Sequence, residues 1–175
     1  TIDSTGVMLL KQQMQLKTLL DSPYFGRIDF VYEGEDPIDA EIFYIGKFSF
    51  TDEDGDVCIY DWRAPVASMY YDFEIGAASY EALNGAVHGE LIAKRQLKIS
   101  EGQLQYVLDS SLSIHDEILQ KELSQTSDNR MKTIINTIQK EQNAIVRNNQ
   151  AQTIVIQGVA GSGKTSIALH RIAYL

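Results

Sequence analysis

The residues best suited to chemistry form one run that fits the pattern G-x-x-x-x-G-K-[ST]: Gly158, Val159, Ala160, Gly161, Ser162, Gly163, Lys164 and Thr165. Glycines allow a tight turn, so that successive backbone N–H groups point at phosphate oxygens. Lys164 would reach the β- and γ-phosphates of a nucleotide, and the Thr165 hydroxyl would be one ligand of Mg²⁺. The run therefore predicts a phosphate-binding loop, in which Lys164 and Thr165 act on the phosphates.

The flanks of the loop match the strand–loop–helix context that this pattern requires. Residues 153–157 are β-formers, and apolar side chains after the loop fall on one helical face: Ile167, Ala168, Ile172 and Leu175. A helix that begins at the loop also favours a bound anion through its N–H groups and its dipole. We expect a strand over 153–157 followed by a helix. The alternative is a glycine-rich turn without a ligand.

Gln142 is a second candidate because it is polar on an otherwise apolar helical stripe. The other members of the stripe are Met131, Ile135, Ile138 and Ile145. A Gln amide offers a donor and an acceptor, and an adenine edge offers the complementary pair. Gln142 lies sixteen residues before Gly158, so we expect it at the edge of a pocket for ATP. The pattern fits one helix, or two helices joined near Thr137.

Charge and composition bear on the partner class. The chain has 175 residues and a net charge of −9, from 15 basic and 24 acidic side chains. Phosphate neutralisation needs clustered Lys and Arg, so the balance argues against nucleic acid held by the overall field. A protein partner with a basic surface is the simpler interpretation, and an acidic protein without a charge-selected partner is the alternative.

Cysteine and histidine indicate no further site. Cys58 is the only cysteine, which excludes an intramolecular disulfide and a Cys-rich metal site. We expect Cys58 itself to be a small core residue. His88, His115 and His170 are far apart in sequence and are interpreted as structural or surface residues. A single cysteine is consistent with a reducing cytosol, so we expect a cytoplasmic protein. No apolar run is long enough to span a bilayer, so we expect no membrane partner.

Periodicity divides the chain into three parts and indicates a mixed α and β fold. Residues 1–22 predict a helix that either packs on the domain or ends a longer arm. Residues 23–110 predict five or six antiparallel strands, at 26–32, 40–50, 57–62, 87–99 and 103–108, with turns at 52–56, Asn84-Gly85 and Glu101-Gly102. Residues 111–175 predict helices, starting with one over 114–123, and then the phosphate loop. A nucleotide-binding sheet needs more strands, so we expect a fragment of a longer protein.

A polar cluster stands out within the β-rich part: Asp61, Trp62, Arg63, Ala64 and Pro65. It either touches a ligand or partner at a strand end, or contains a buried Asp61–Arg63 pair beside a packed Trp62 that fixes a corner. We favour the corner, since buried ion pairs often serve structure.

Residues 138–175 resemble the UvrD/Rep-type superfamily 1 helicases. The block IQKEQNAIV (138–146) is similar to the family's adenine-reading motif, usually L-N-x-x-Q-x-x-A-V, with Gln142 on the reading Gln and departures at Gln139 and Ile145. Residues 158–165 fall on the family's first motif, and Ser166 stands where the family often has Arg. Upstream, SPYFGRIDF (22–30), IGKFSF (45–50) and IYDWRAPVASMYY (59–71) look like the HelD branch.

The resemblance implies a bacterial ATPase that binds RNA polymerase and helps to release it from stalled or post-termination complexes. ATP and Mg²⁺ would bind at Gln142 and residues 158–166, between a first RecA-like domain that begins near the end of this sequence and a second one. The first helix would be the stub of a coiled-coil arm, and the β-rich part an accessory region. RNA polymerase is the expected partner, and DNA a further one for the full-length protein.

Three functions remain open on this basis: a polymerase-recycling motor ATPase, a DNA-unwinding helicase of the same superfamily, and a non-enzymatic interaction module within 24–110. The sequence offers no catalytic acid, second Mg²⁺ carboxylate or arginine finger, which phosphoryl transfer needs. The Asp116-Glu117 pair follows no apolar strand and reads as a helix start. We therefore expect this chain to bind ATP without hydrolysing it alone, and its phosphate loop to lack sheet partners.

Overall fold

The computed structural model describes residues 4–109, 140–151 and 153–175, and it confirms the mixed α and β fold. The chain divides into two compact units, here called the sheet unit (residues 1–113) and the helical unit (residues 114–175). The predicted helix over 114–123, the apolar stripe up to Ile138 and His115 lie outside the described residues. Within the described part, none of the helices has both the length and the apolar character needed to cross a bilayer.

Helix α1 spans Ser4–Asp21, where the sequence predicts a helix. It ends near Pro23, since the residue before a proline avoids helical backbone. Asp21 attaches it to a turn of the sheet: its Oδ1 accepts from Glu101 N at 2.7 Å, and its carbonyl oxygen accepts from Gly102 N at 2.9 Å. The long apolar side chains of α1 are exposed, namely Val7, Met8, Leu9, Leu10, Met14, Leu16 and Leu20. The interpretation in which this stripe packs on the domain is therefore wrong.

Seven strands form one sheet in the order β3-β4-β2-β1-β6-β5, with β7 also paired to β6. They are β1 Gly26–Tyr32, β2 Glu41–Gly46, β3 Phe50–Thr51, β4 Val57–Asp61, β5 Gly76–Ala82, β6 Gly85–Ser100 and β7 Gln103–Asp109. A short helix α2, Ser68–Asp72, lies between β4 and β5. The three predicted turns each join two of these strands, as the turn residues indicate.

The sheet differs from the prediction in strand number and in one pairing. The prediction lacks β5, and its single strand over 40–50 is divided into β2 and β3. In addition, β2 pairs with β4 in parallel, at Ile45–Tyr60 and Gly46–Asp61. The other pairings are antiparallel. After β2 the chain enters the outer strand β3, and β4 then returns into the gap between β3 and β2. Alternation along a sequence identifies strands but does not specify this order.

The core of the sheet unit forms around the central strands and α2. Its most deeply buried large side chains are Phe30, Ile28, Ile45, Met69 and Leu91. Gly89 of β6 permits this packing, because a Cβ there would overlap Val31 O and would lie 2.5 Å from Phe30 Cζ. Leu91 and Ile99 of β6 are buried and Glu90 is exposed, while residues 93–98 are half-buried.

Residues 61–65 form a corner at the end of β4. Arg63 Nε and NH2 donate to the two carboxylate oxygens of Asp61 at 2.8 and 2.7 Å. The buried Trp62 donates its backbone N–H to Gly46 O at 2.9 Å, which ties the corner to β2. The geometry fits the corner interpretation, but the ion pair is not buried, because 43% of the Arg63 side chain is exposed.

Cys58 is exposed, so the predicted core position is wrong. Ile59 next to it is buried, and successive side chains of a strand point to opposite faces. Cys58 therefore takes the outer face of the β3–β4 ribbon, where its thiol lies 3.8 Å from Asp52 Oδ2. His88 is exposed, as a surface histidine would be.

The helical unit contains α3, Lys140–Val146, and α4, Lys164–Tyr174. The predicted strand over 153–157 is absent, since these residues pair with no strand in the described ranges and a strand needs a neighbour for its backbone hydrogen bonds. The buried face of α4 also differs from the predicted one: Ile167 is 6% exposed, but Ile172 is 72% exposed. Instead, α4 turns Ile167, His170 and Arg171 inward, and Arg171 contacts the end of α3.

Candidate functional site

Residues 158–165, for which the sequence predicts a phosphate-binding loop, make a tight turn directly before α4. Gly161 and Gly163 have φ angles of 82° and 79°, a left-handed conformation that glycine adopts without a steric penalty. Ser162 N donates to Val159 O at 3.3 Å within this turn, and Ile167 N donates to Gly163 O at 3.0 Å as α4 begins. The loop therefore ends at a helix N-terminus, whose N–H groups and dipole favour an anion.

Lys164 folds back over the loop that precedes it. Its Nζ donates to Gly158 O at 2.9 Å, to Val159 O at 2.5 Å and to Ser162 Oγ at 3.4 Å. These acceptors all belong to residues 158–162, so the ammonium group lies against the segment that precedes it. A cation held by carbonyl oxygens can exchange them for phosphate oxygens, which carry more negative charge.

The remaining loop residues are open to solvent or nearly so. Val159, Ala160 and Thr165 are exposed, and the Thr165 hydroxyl is therefore accessible to a metal ion that arrives with a nucleotide. The Ser166 carbonyl oxygen lies 2.7 Å from His170 Nδ1. Burial lowers the pKa of the His170 imidazole below its usual value, and the contact with Ser166 opposes this shift.

Gln142 lies beside the loop. A Cβ placed on Gly163 would be 3.8 Å from Gln142 Nε2. The structure thus brings the Gln142 amide of α3 close to Gly163, the residue directly before α4, although the two are far apart in the sequence. An amide donor at this point can contact a ligand seated on the loop.

Sequence reasoning missed two polar residues near the contact between α3 and α4, of which Arg171 joins the two helices. Asn143, next to Gln142, is completely buried, and its Oδ1 accepts from Arg147 Nε at 2.9 Å. Arg171 of α4 donates to the carbonyl oxygens of Ile145 and Val146, each at 3.2 Å. In the sequence, the feature that could have indicated Asn143 and Arg171 is their polarity on the inward faces of two short helices.

The sheet unit has an open groove of about 800 Å³ at one end of β1 and the β5–β6 hairpin. Its lining includes Tyr32, Glu33, Glu35, His88 and Glu90. The pKa of Tyr32 is raised, first by burial and second by the hydrogen bond that its hydroxyl donates to Glu41. Within the described residues, no three His, Cys, Asp or Glu side chains are grouped to hold a metal ion.

Comparison with known proteins identifies the family of the chain from a match to about the first three quarters of its sequence. The family model for the N-terminal domain of DNA helicase IV HelD matches residues 2–130, which are 129 of the 175 residues. A comparison with curated proteins found no match. The matched region contains α1 and the complete sheet, while the phosphate loop follows it. The chain therefore belongs to the HelD N-terminal domain family.

Proposed function

We propose that this chain is the ATP-binding N-terminal part of a superfamily 1 helicase-like motor ATPase that acts on RNA polymerase, releasing or recycling it. The observation that carries the nucleotide part of the proposal is the position of Gln142 beside Gly163. A phosphate loop alone accepts any nucleotide, whereas an amide beside it can read the base.

The loop residues have distinct roles in this proposal. Backbone N–H groups around Gly161 and Gly163 and at the start of α4 would hold the phosphates. Lys164 Nζ would leave the carbonyl oxygens of Gly158 and Val159 for the β- and γ-phosphates, and the Thr165 hydroxyl would bind Mg²⁺. Mg²⁺ would neutralise charge on the phosphates. Hydrolysis needs further groups, which we assign to other parts of the full-length protein.

Family membership and charge support the choice of partner. The chain belongs to a helicase-derived family, but its net charge of −9 disfavours a grip on nucleic acid through the overall field. An acidic surface is better suited to binding a protein that has a basic surface. RNA polymerase is therefore our proposed partner.

The test is retention of RNA polymerase by the immobilised full-length protein, with and without ATP. We expect retention that ATP weakens, and we expect ATP to have no effect on retention by the Lys164→Ala variant. The proposal fails if the wild-type protein does not retain polymerase.

The family description, DNA helicase IV, favours a second candidate function, unwinding of DNA driven by ATP hydrolysis. The same protein preparation distinguishes the two. Absence of polymerase retention together with strong stimulation of ATP hydrolysis by single-stranded DNA would support the helicase function. Polymerase retention with little stimulation by DNA would exclude it.

A further inference from the structure

Arg171 caps a helix other than its own. Its NH1 donates to Ile145 O and Val146 O, each at 3.2 Å, and its NH2 donates to Ala151 O at 3.3 Å. Ile145 and Val146 are the last two residues of α3, where helical carbonyls lack intrahelical partners. A guanidinium group at this point also complements the negative end of the helix dipole.

This cap lies one helical turn from Gln142. Gln142 and Val146 are four residues apart, which corresponds to about 6 Å along a helix axis. The two ends of α3 therefore contact α4 differently: Gln142 lies beside Gly163, and the last carbonyls bind Arg171. Between them, Val146 and Ile167 are buried. Apolar contacts are not directional, whereas the Arg171 hydrogen bonds to the last carbonyls of α3 are, so they help to define the axial position of α3 on α4.

We propose that Arg171 is a positioning residue for base recognition: its hold on the end of α3 places the Gln142 amide at the phosphate loop, and so selects adenine over guanine. This inference depends on the proposed ATP-binding function. The guanidinium fork is suited to the role because it donates to three carbonyl oxygens at once, which the single ammonium group of a lysine does less well. Arg147 also joins the end of α3 to α4, since it lies over the Tyr174 ring at 5.4 Å, but it donates to the Asn143 side chain and not to the last carbonyls of α3.

The test compares affinities for ATP and GTP in the full-length protein, measured by displacement of a fluorescent ATP analogue. The variants are Arg171→Met, which keeps an unbranched apolar stem without donors, Arg171→Lys, Gln142→Ala and the Arg171→Met/Gln142→Ala double variant. Arg95→Met is the matched control, because Arg95 lies in the sheet unit and pairs with Asp109.

We expect Arg171→Met to reduce the preference for ATP over GTP by at least about fivefold, the low end of what a bidentate base contact contributes. Gln142→Ala should do the same, and the double variant should lose little more, because both changes remove one interaction. Arg171→Lys should lie between Arg171→Met and wild type, and Arg95→Met should match wild type. In steady-state hydrolysis, Arg171→Met should raise KM for ATP with kcat within about twofold of wild type.

Several results would overturn this role. Arg171→Met could keep the wild-type preference, weaken ATP and GTP equally, or add its full effect to that of Gln142→Ala; each would make Arg171 a purely structural residue. If Arg171→Met does not fold in a thermal unfolding assay, Arg171→Lys decides, and an unchanged preference in that folded variant would refute the proposal. A wild-type protein that binds neither nucleotide, or shows no preference, would instead refute the proposed ATP-binding function.

Discussion

Lys164 is the residue on which the proposed activity depends most directly. Its ammonium group donates to Gly158 O, Val159 O and Ser162 Oγ, so the cation is held by the segment that is proposed to bind phosphate. Nucleotide binding would replace carbonyl acceptors by charged phosphate oxygens, and bonds between two ionised groups are the stronger kind. The lysine is therefore placed to move a short distance and to gain interaction energy.

We predict that Lys164→Ala lowers ATP turnover of the full-length protein by at least about 10²-fold, the usual effect of removing one preorganised donor from the reacting group. The measurement is steady-state release of phosphate. Lys17→Ala, which alters an exposed lysine of α1, should leave turnover unchanged. Turnover at the wild-type level in Lys164→Ala would show that residues 158–165 are not the site of hydrolysis.

His170 should make α4 sensitive to acid. Burial lowers its pKa in the folded state, so the unfolded chain takes up a proton first as the pH falls. Stability from the neutral imidazole is therefore complete above the unfolded pKa of about 6.5 and decreases as the pH falls through that value. We expect the hydrogen-exchange protection factors of the α4 amides to decrease between about pH 7.5 and about pH 5.5.

A pair of variants checks the assignment to His170. His170→Asn can still donate to the Ser166 carbonyl but does not titrate in this range, so its protection factors should be independent of pH. His88→Asn, at an exposed position, should behave as wild type. A pH dependence that survives in His170→Asn would assign the effect to another group.

At the level of elements, β6 is the longest strand described and pairs with three others, β1, β5 and β7. Gly89 makes the contact with β1 close, since a Cβ there would overlap Val31 O. We predict that Gly89→Ala lowers the free energy of unfolding by about 3 kcal/mol or more, at the upper end of overpacking costs because the obstacle is backbone. Chemical denaturation monitored by circular dichroism measures this.

Gly34→Ala provides the comparison for that variant. Gly34 has a φ of 90° and no atom within 4 Å of a Cβ position, so alanine there meets backbone strain but no overlap. It should cost only about 1–2 kcal/mol, the usual penalty of a left-handed conformation. Equal losses in the two variants would show that overlap in β6 is relieved by movement of the strand.

The elements that the sequence predicts are those with a local signal. Alternation in β6 and the turns at 52–56, Asn84-Gly85 and Glu101-Gly102 depend on neighbours in the chain, and each is found. The parallel β2–β4 pair and the exposure of Cys58 depend on strand order, which alternation does not encode. The strand expected over 153–157 has suitable residues, but backbone pairing needs a partner strand.

At the scale of the whole molecule, the candidate site also contains some residues with a local sequence signal and others whose role depends on the folded arrangement. The turn of residues 158–165 before α4 is predictable because eight adjacent residues define it. The place of Gln142 beside that turn is expected from its polarity on an apolar stripe, and nucleotide binding by both stays a prediction. The role of Arg171 is not predictable, since it exists only once α3 and α4 lie side by side. Residues that position others are thus harder to find in a sequence than residues that would touch the ligand.

The net charge of −9 gives the last prediction. Non-specific binding to DNA arises mainly from Lys and Arg at phosphates and gives dissociation constants of about 10⁻⁴–10⁻⁶ M at physiological salt. We expect the chain of residues 1–175 to bind a labelled single-stranded oligonucleotide more weakly than this range in fluorescence anisotropy. Saturable micromolar binding that weakens steeply with salt would instead identify a local basic surface that outweighs the overall field, and would favour the DNA-unwinding function.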